Sequence, residues 1–365
     1  MKYSLPHGAL TVLAAALVTN FALSLDACGA INVINASPAN ITKTGFLSAS
    51  RDAAPKANIN SQRMSNFVKE LASPKYAGRL PGTPGDSLSL AFIVNEFKNI
   101  GLLPAQAEGY LQRFSTTILE PDGKSDDNPE NPLHGERMAT SNVIGIIPGN
   151  DRILSKEVIV ISAHRDHLGS TPNGIPYPGA NDDLSGLAAV MELARAFERQ
   201  KVAKKPNKRT LMFVAYGAEE QREMGSMYHA DHPLPGFPNK NIVLMISIDM
   251  IGLGYDKWST FTQTQLNHYA KTWFDDFDSE SNDADDGYSH EYPPDNKTTF
   301  SYDTGPFGKL GIKNRVFGQA QGIPTYHQTT DTWESVHIGP AAIFTRTIFD
   351  FLWKVDQTPR KLVER

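Results

Sequence analysis

Cysteine is all but missing from this sequence: Cys28 is the only thiol among 365 residues. No disulfide framework and no thiolate zinc site can be assembled within one chain, so any metal must be held by His, Asp and Glu. A basic surface is missing too. The net charge is -5 with both signs scattered, which leaves no face for nucleic acid and no polybasic patch for a membrane. Internal repeats and long low-complexity tracts are also absent. The length fits two domains at roughly 150 residues each, or one α/β domain of about 300 residues behind a leader.

The leader is legible. Lys2 precedes an apolar stretch from Gly8 to Leu25 that is interrupted by Thr11, Thr19, Asn20 and Ser24 and ends on small residues. This predicts a signal peptide over residues 1–28 rather than a membrane span. Leu25-Asp26-Ala27-Cys28-Gly29 resembles a bacterial lipoprotein box, in which the Cys becomes the lipidated first residue of the mature chain. Ordinary cleavage near Ala27 or Ala30 is the alternative, and Asp26 is an unusual neighbour for a lipobox. Both readings export the protein to the periplasm or the medium, with a membrane reached only through Cys28. Residues 29–60, rich in Ala, Asn, Ser and Thr, read as a flexible spacer, and residues 61–365 as one catalytic domain.

Met64, Phe67, Val68 and Leu71 fall on one helical face. After a Gly/Pro-rich turn, Asp86 is placed to cap a second helix whose stripe is Leu88, Phe92, Ile93, Phe97 and Ile100, with Gly101 at its end. Strands are expected near Leu111 to Leu119 and Asn142 to Ile147, flanking an acidic loop from Glu120 to Asn131. From Glu157 the pattern alternates. Val158 to Ser162 is a strand, Leu187 to Phe197 a helix, Thr210 to Tyr216 and Ile242 to Ile248 are strands, Ile312 to Phe317 is another, and a last helix begins near Pro340 and carries Ile343, Phe344, Ile348, Phe349 and Leu352. This is the signature of a doubly wound α/β domain, a mostly parallel sheet with helices on both faces.

In such sheets the ligand site lies beyond the carboxyl ends of the strands. Here the first apolar run leads to His164 and Asp166, the second to Glu219-Glu220, the third to Asp249 and the fourth, through a loop, to His327. A loop before the first long helix adds Asp182-Asp183. Two imidazoles, several carboxylates and a spare Glu are the inventory that two bridged metal ions and a general base require. The chemistry is then hydrolysis of a polarised carbonyl.

The motifs resemble those of the co-catalytic zinc aminopeptidases related to secreted bacterial leucyl aminopeptidase, with glutamate carboxypeptidase, glutaminyl cyclase and transferrin receptor as more distant relatives. The resemblance runs from about Met64 to Leu352 on these blocks: Ala77-Gly78-Arg79 with Gly82-Thr83-Pro84-Gly85; Asn142-Val143-Ile144-Gly145; Ala163 through Gly169; Gly179-Ala180-Asn181-Asp182-Asp183 with Ser185-Gly186; Gly217-Ala218-Glu219-Glu220; Asp249-Met250-Ile251-Gly252; and His327 with Asp331-Thr332. It implies two zinc ions per chain bridged by Asp182, with His164 and Asp249 on one and Glu220 and His327 on the other. It further implies Glu219 as general base, Asp166 as the partner that orients His164, and a peptide or peptide-like substrate cut at its N-terminus.

His167 reads as a structural loop residue, Asp183 as a residue that shapes the Asp182 loop, and Tyr302, Phe307 and Tyr326 as candidates to line a side-chain pocket. Relatives often carry Tyr at Arg165, Thr at Gln328 and a Ser-Asp-His run at Tyr302-Asp303-Thr304, and these departures are expected where substrate touches the protein. A single-zinc glutaminyl cyclase, a carboxypeptidase or dipeptidase using the same ligands, and a receptor-like protein without chemistry are the alternatives. Retention of every ligand and of Glu219 speaks against the first and the last.

Overall fold

Val158–His164 is buried along its whole length and takes the middle of a sheet, as an unbroken β-branched run must when both faces are covered. The computed structural model describes residues 57–117, 137–252, 289–291, 302–318 and 323–362, with a few isolated positions besides. The signal segment, nearly all of the spacer and the acidic loop lie outside the described residues. The central strand is β4. Before it come β1 (Leu103–Pro104), β2 (Leu111–Thr117) and β3 (Arg137–Ile147), and after it β5 (Thr210–Tyr216), β6 (Ile242–Asp249), β7 (Ser289–Glu291) and β8 (Asn314–Gly318).

The order across the sheet is β1-β3-β5-β4-β6-β8-β7, with β2 also paired to β3. From β5 to β7 the strands are parallel, whereas β3 is antiparallel to β5 and to both β1 and β2. The sheet is therefore mixed, parallel where the site is built and antiparallel at one edge. Connection length explains the edge. Residues 148–157 between β3 and β4 are too few for the crossover helix that a parallel neighbour needs, so β3 turns back along β5 instead.

Alternate residues of each strand enter two cores. Ile159, Ile161 and Ala163 join the larger one, with α1 (Ser61–Leu71), α2 (Pro84–Ile100), α3 (Leu184–Val202) and α6 (Ile338–Gln357). Val158 and Val160 turn to a smaller one capped by Ala230 of α4 (Met224–Asp231) and Phe307 of α5 (Gly305–Gly308). Helices cover both faces, unequally. None in the described residues is long and apolar enough to cross a membrane.

The α1 stripe buries the four residues its spacing picks out, and the domain starts slightly earlier than the composition suggests: Ile59 is in the core and the Asn60 side chain caps α1 through the Arg63 amide. In α2 the stripe holds at Phe92, Ile93, Phe97 and Ile100 and fails at its first member. Leu88 is 43% exposed while Asp86 and Ser89 are buried, and the cap is Thr83, whose side chain accepts the Asp86 amide. The reason is an ion pair: the Asp86 carboxylate faces inward to Arg165, which turns the polar side of the helix toward the protein. In α6, Ile343 is likewise half exposed at 36%, beside the buried Phe344 and Ile348.

Candidate metal centre

Parallel register brings the chemistry to one end. His164 of β4 lies opposite Tyr216 of β5, and Ser162 opposite Ser247 of β6, so the three strands finish nearly level. His164 and Asp249 are the last residues of their strands, Glu219 and Glu220 follow β5, and Asp182 precedes α3. His327 sits in the turns before α6. Left-handed backbone gathers here at residues that are not glycine: Ala218 (φ 58°) before Glu219, Met250 (φ 53°) after Asp249, and His327 itself (φ 54°). Such conformations are disfavoured for side chains with a Cβ and concentrate where a chain must turn a functional group into a cleft.

Asp182 stands between the two histidines. Its Oδ1 is 3.0 Å from His164 Nε2 and its Oδ2 is 3.4 Å from His327 Nε2. Asp249 Oδ1 is 3.9 Å from His164 Nε2, and Glu220 Oε2 is 3.0 Å from His327 Nε2. Glu219 Oε2 approaches the same His164 nitrogen to 3.9 Å. The structure thus gathers His164, Asp182, Glu219, Glu220, Asp249 and His327 into one group. Ligand atoms of His164, Asp182 and Glu220 lie within 4.8 Å of one another, as do those of His164, Asp183 and Asp249. Asp183, although close, has other work: Oδ2 accepts the His164 amide, and Oδ1 accepts those of Gly186 and Met250. Its oxygens are committed to joining β4, β6 and the first turn of α3.

Asp166 differs from its expected role. Its Oδ1 is 3.9 Å from His164 Nδ1, beyond a hydrogen bond, and its carboxylate instead accepts the amides of Glu219 at 3.1 Å and Glu220 at 3.4 Å. Two further braces were not legible in the sequence as such. Asp331 accepts the Asn181 and Asp182 amides, and Arg79 donates to the carbonyls of Leu71, Arg165, Pro178 and Gly179. The Asp182 loop is therefore held by its carbonyls on one side and its amides on the other. Both residues fall in blocks that the resemblance marks, but their partners lie too far away in sequence for spacing to reveal.

For Arg165 the substrate-facing expectation is corrected. Arg165 is fully buried and binds Asp86, Ser89, Thr140 and the Ser141 carbonyl. Tyr302, Asp303 and Thr304 are buried as well, and Gln328 alone of the group is exposed. A guanidinium has five donors to satisfy, and the interior next to α2 supplies the acceptors. Tyr326 is 40% exposed and stacks on the His327 ring at 3.8 Å between centroids. Phe307 packs in the smaller core. His167 is no isolated loop residue, since its Nδ1 is 2.5 Å from Glu220 Oε1.

The charges show what the cleft can bind. Burial pushes Asp249 up to about 7 and Asp303 up to about 8, and burial together with neighbouring carboxylates holds Glu219 and Asp183 well above the usual range. Burial also works to lower the His164 imidazole, but the charges of Glu219, Asp182 and Asp249 outweigh it and hold it well above its ordinary value. Asp182 Oδ2 and Asp249 Oδ1 are buried with no hydrogen-bond partner. Mutually repelling carboxylates with orphaned oxygens, beside two imidazoles, fit a divalent cation, which would relieve the repulsion and satisfy the orphaned atoms. Imidazole nitrogen and carboxylate oxygen are ligand types that suit zinc.

A family model, that of peptidase family M28, matches residues 142–352, more than half of the sequence. The chain belongs to peptidase family M28. The matched span runs from β3 to α6 and so contains every residue of the gathered cluster. Among curated relatives, the chain is 31% identical to the aminopeptidase YwaD of Bacillus subtilis over 123 residues, which cover 33% of this chain and 24% of that protein. In that match it spans about a quarter of the relative's own length. Among solved structures it resembles a zinc aminopeptidase from Bacillus subtilis (TM-score 0.59, 15% identity, 85% of this chain and 98% of that one). It also resembles a glutaminyl cyclase from Porphyromonas gingivalis (TM-score 0.57, 17% identity, 81% and 99%). At these identities the two structures speak for the M28 fold.

Proposed function

We propose that this chain is an exported, zinc-dependent aminopeptidase that holds two zinc ions and removes residues from the N-termini of peptides. The observation that carries the reading is the division of Asp182, with one oxygen toward His164 and the other toward His327. A carboxylate so divided suits a bridge, with His164 and Asp249 completing one metal position and Glu220 and His327 the other. When bound, the zinc ions would polarise the scissile carbonyl and make water acidic enough to react near neutral pH.

The chain's own residues do the rest. Glu219 is partly exposed at the cleft and lies outside the proposed ligand set, so it suits the general base that takes a proton from water and returns it to the leaving amine. Asp166 fixes that base by its backbone amide. Asp331, Asp183 and Arg79 hold the ligand-bearing segments so that little reorganisation accompanies the reaction. The likeness to a glutaminyl cyclase fold supports a second reading, acyl transfer at a single zinc, against which the five complete ligand positions weigh. A carboxypeptidase or dipeptidase would use the same ligands, and the named aminopeptidase relatives favour N-terminal cleavage.

For the leader, the apolar stretch to Leu25 supports a signal peptide, and Cys28 a lipid anchor. The test is elemental analysis of purified mature protein, with its N-terminus read by mass spectrometry, together with hydrolysis of aminoacyl amides and N-blocked controls by wild type and Glu219→Gln. Two zinc per chain, cleavage of free-amine substrates only, and a loss of about 10²–10⁴-fold in the metal-loaded variant are expected. One zinc with cyclisation and no hydrolysis would replace the aminopeptidase with the cyclase. An unprocessed N-terminus would remove export.

A further inference from the structure

We propose that His167 is a positioning residue that divides the Glu220 carboxylate, holding one oxygen so that only the other serves the metal position shared with Asp182 and His327. The proposal rests on the two-metal reading above and concerns a residue outside its ligand set.

Glu220 is contacted from both sides. Its Oε1 is 2.5 Å from His167 Nδ1, and its Oε2 is 3.0 Å from His327 Nε2. The His167 ring is completely buried and stands edge-on to the His327 ring, with 5.8 Å between centroids. Behind it lies the backbone of Gly179, where a Cβ would come within 2.6 Å of the ring and where φ is +54°. The ring is therefore closed in on that side, and the glycine that starts the Asp182 loop is what admits it.

The other nitrogen, Nε2, is buried with no hydrogen-bond partner. An unmet lone pair is tolerable in such a place, whereas an unmet N–H is expensive, so the proton belongs on Nδ1 and is donated to Glu220 Oε1. A carboxylate oxygen held by a short, fixed hydrogen bond is the weaker and less movable donor, so Glu220 would serve the metal chiefly through Oε2. Held in this way, Glu220 would occupy one coordination position and not two. Residues that orient ligands in this way typically contribute 10–100-fold in metal affinity.

Asparagine separates the two nitrogens of the ring, because its amide nitrogen overlies Nδ1, whereas that of glutamine overlies Nε2. The full mature chain, stripped of metal, is titrated with Zn2+ against a chromophoric chelator for wild type, His167→Asn, His167→Gln and His167→Leu, and apo thermal midpoints are recorded alongside. Expected are two uptake events in wild type and in His167→Asn, and in His167→Leu one event unchanged and one weakened about 10–100-fold with the apo midpoint preserved. With Co2+ in place of Zn2+, His167→Leu should show a weaker visible band per ion, because a carboxylate binding through both oxygens raises the coordination number.

Two normal events in His167→Leu would overturn the proposal. Equal weakening of both events with a lowered apo midpoint would reduce His167 to a packing residue. Rescue by His167→Gln and not by His167→Asn would make Nε2 a ligand and overturn the orienting role. A wild type that takes up a single zinc would overturn the two-metal function instead. The proposal about His167 then stands if that one event is weakened in His167→Leu and restored in His167→Asn, and falls if it is not.

Discussion

Arg165 follows the proposed ligand His164 directly, yet its guanidinium points into the protein and meets Asp86 of α2 at 2.5 Å, with Thr140 and the Ser141 carbonyl completing its bonds. Asp86 Oδ2 also accepts the Gly82 amide and the Thr140 hydroxyl, so the pair is fully satisfied inside the fold. Removing one member strands the other. Arg165→Met is expected to destabilise the protein by about 3–5 kcal/mol, because it leaves a buried carboxylate uncompensated. Urea denaturation measures this. A shift in substrate KM with unchanged stability would return Arg165 to the substrate side. His164, Asp182, Glu219 and Asp249 were readable because few residue types can bind a metal or move a proton. The partner of Arg165 was not, because Asp86 lies 79 positions away and a capping role explained it locally.

At the scale of elements, the site depends on how closely α3 approaches β6. A Cβ at Gly186, in the first turn of α3, would fall 2.0 Å from the Ile248 carbonyl and 2.4 Å from Asp183 Oδ1. Nothing but glycine allows the helix to start there. Gly186→Ala should therefore push α3 off the sheet and carry Asp182 and Asp183 with it, lowering stability by about 1–3 kcal/mol and weakening zinc uptake together. Thermal denaturation and zinc titration of the same preparation test the coupling. Normal uptake in a destabilised variant would show the Asp182 loop to be independent of the helix. The six longer strands and α1 were legible from periodicity, whereas β1 and β7, of two and three residues, are too short to show any. Only the first turn of α2 was misread, because Asp86 and Ser89 face inward there and a hydrophobic count assigns such residues to solvent.

For the whole molecule, the metal-free cleft is a store of repelling charge, and its pH dependence has a definite sign. Asp249 and Asp303 are raised from 3.8 to about 7 and about 8, chiefly by burial, and Glu223 from 4.5 to about 7, likewise by burial. Between their unfolded and folded values the native chain holds more protons than the unfolded one, so stability falls as pH rises from about 4 to about 8. His327, raised to about 10 because Glu220 and Asp182 outweigh burial, adds stability that is complete below 6.5 and is lost as pH rises toward 10. Glu220, where burial is outweighed by His327 and His167 and the value falls to about 2, opposes this only below its ordinary value of 4.5. Bound zinc would reverse the part that Asp249 and His327 contribute, since metal uptake displaces the protons of its own ligands. The thermal midpoint of chelator-treated protein should drop from pH 4.5 to 8 while the gap to zinc-loaded protein widens. Parallel curves would show that Asp249 and His327 do not face the metal.

The sequence by itself determined the alternation of strands and helices, the strand ends that carry His164, Glu219, Glu220 and Asp249, and the confinement of any metal to His, Asp and Glu. Each of these follows from side-chain type and local periodicity, which need no knowledge of distant neighbours. Only the tertiary structure decided that β3 runs back along β5, that Asp182 divides between two histidines, and that Asp166 holds the amides of Glu219 and Glu220. It likewise decided that Arg165 faces inward and that His167 grips Glu220. Those relations join residues 18 to 145 positions apart, and they exist only once strand register has brought them within reach. Periodicity shows which face a residue occupies, but which group it meets there is set by packing.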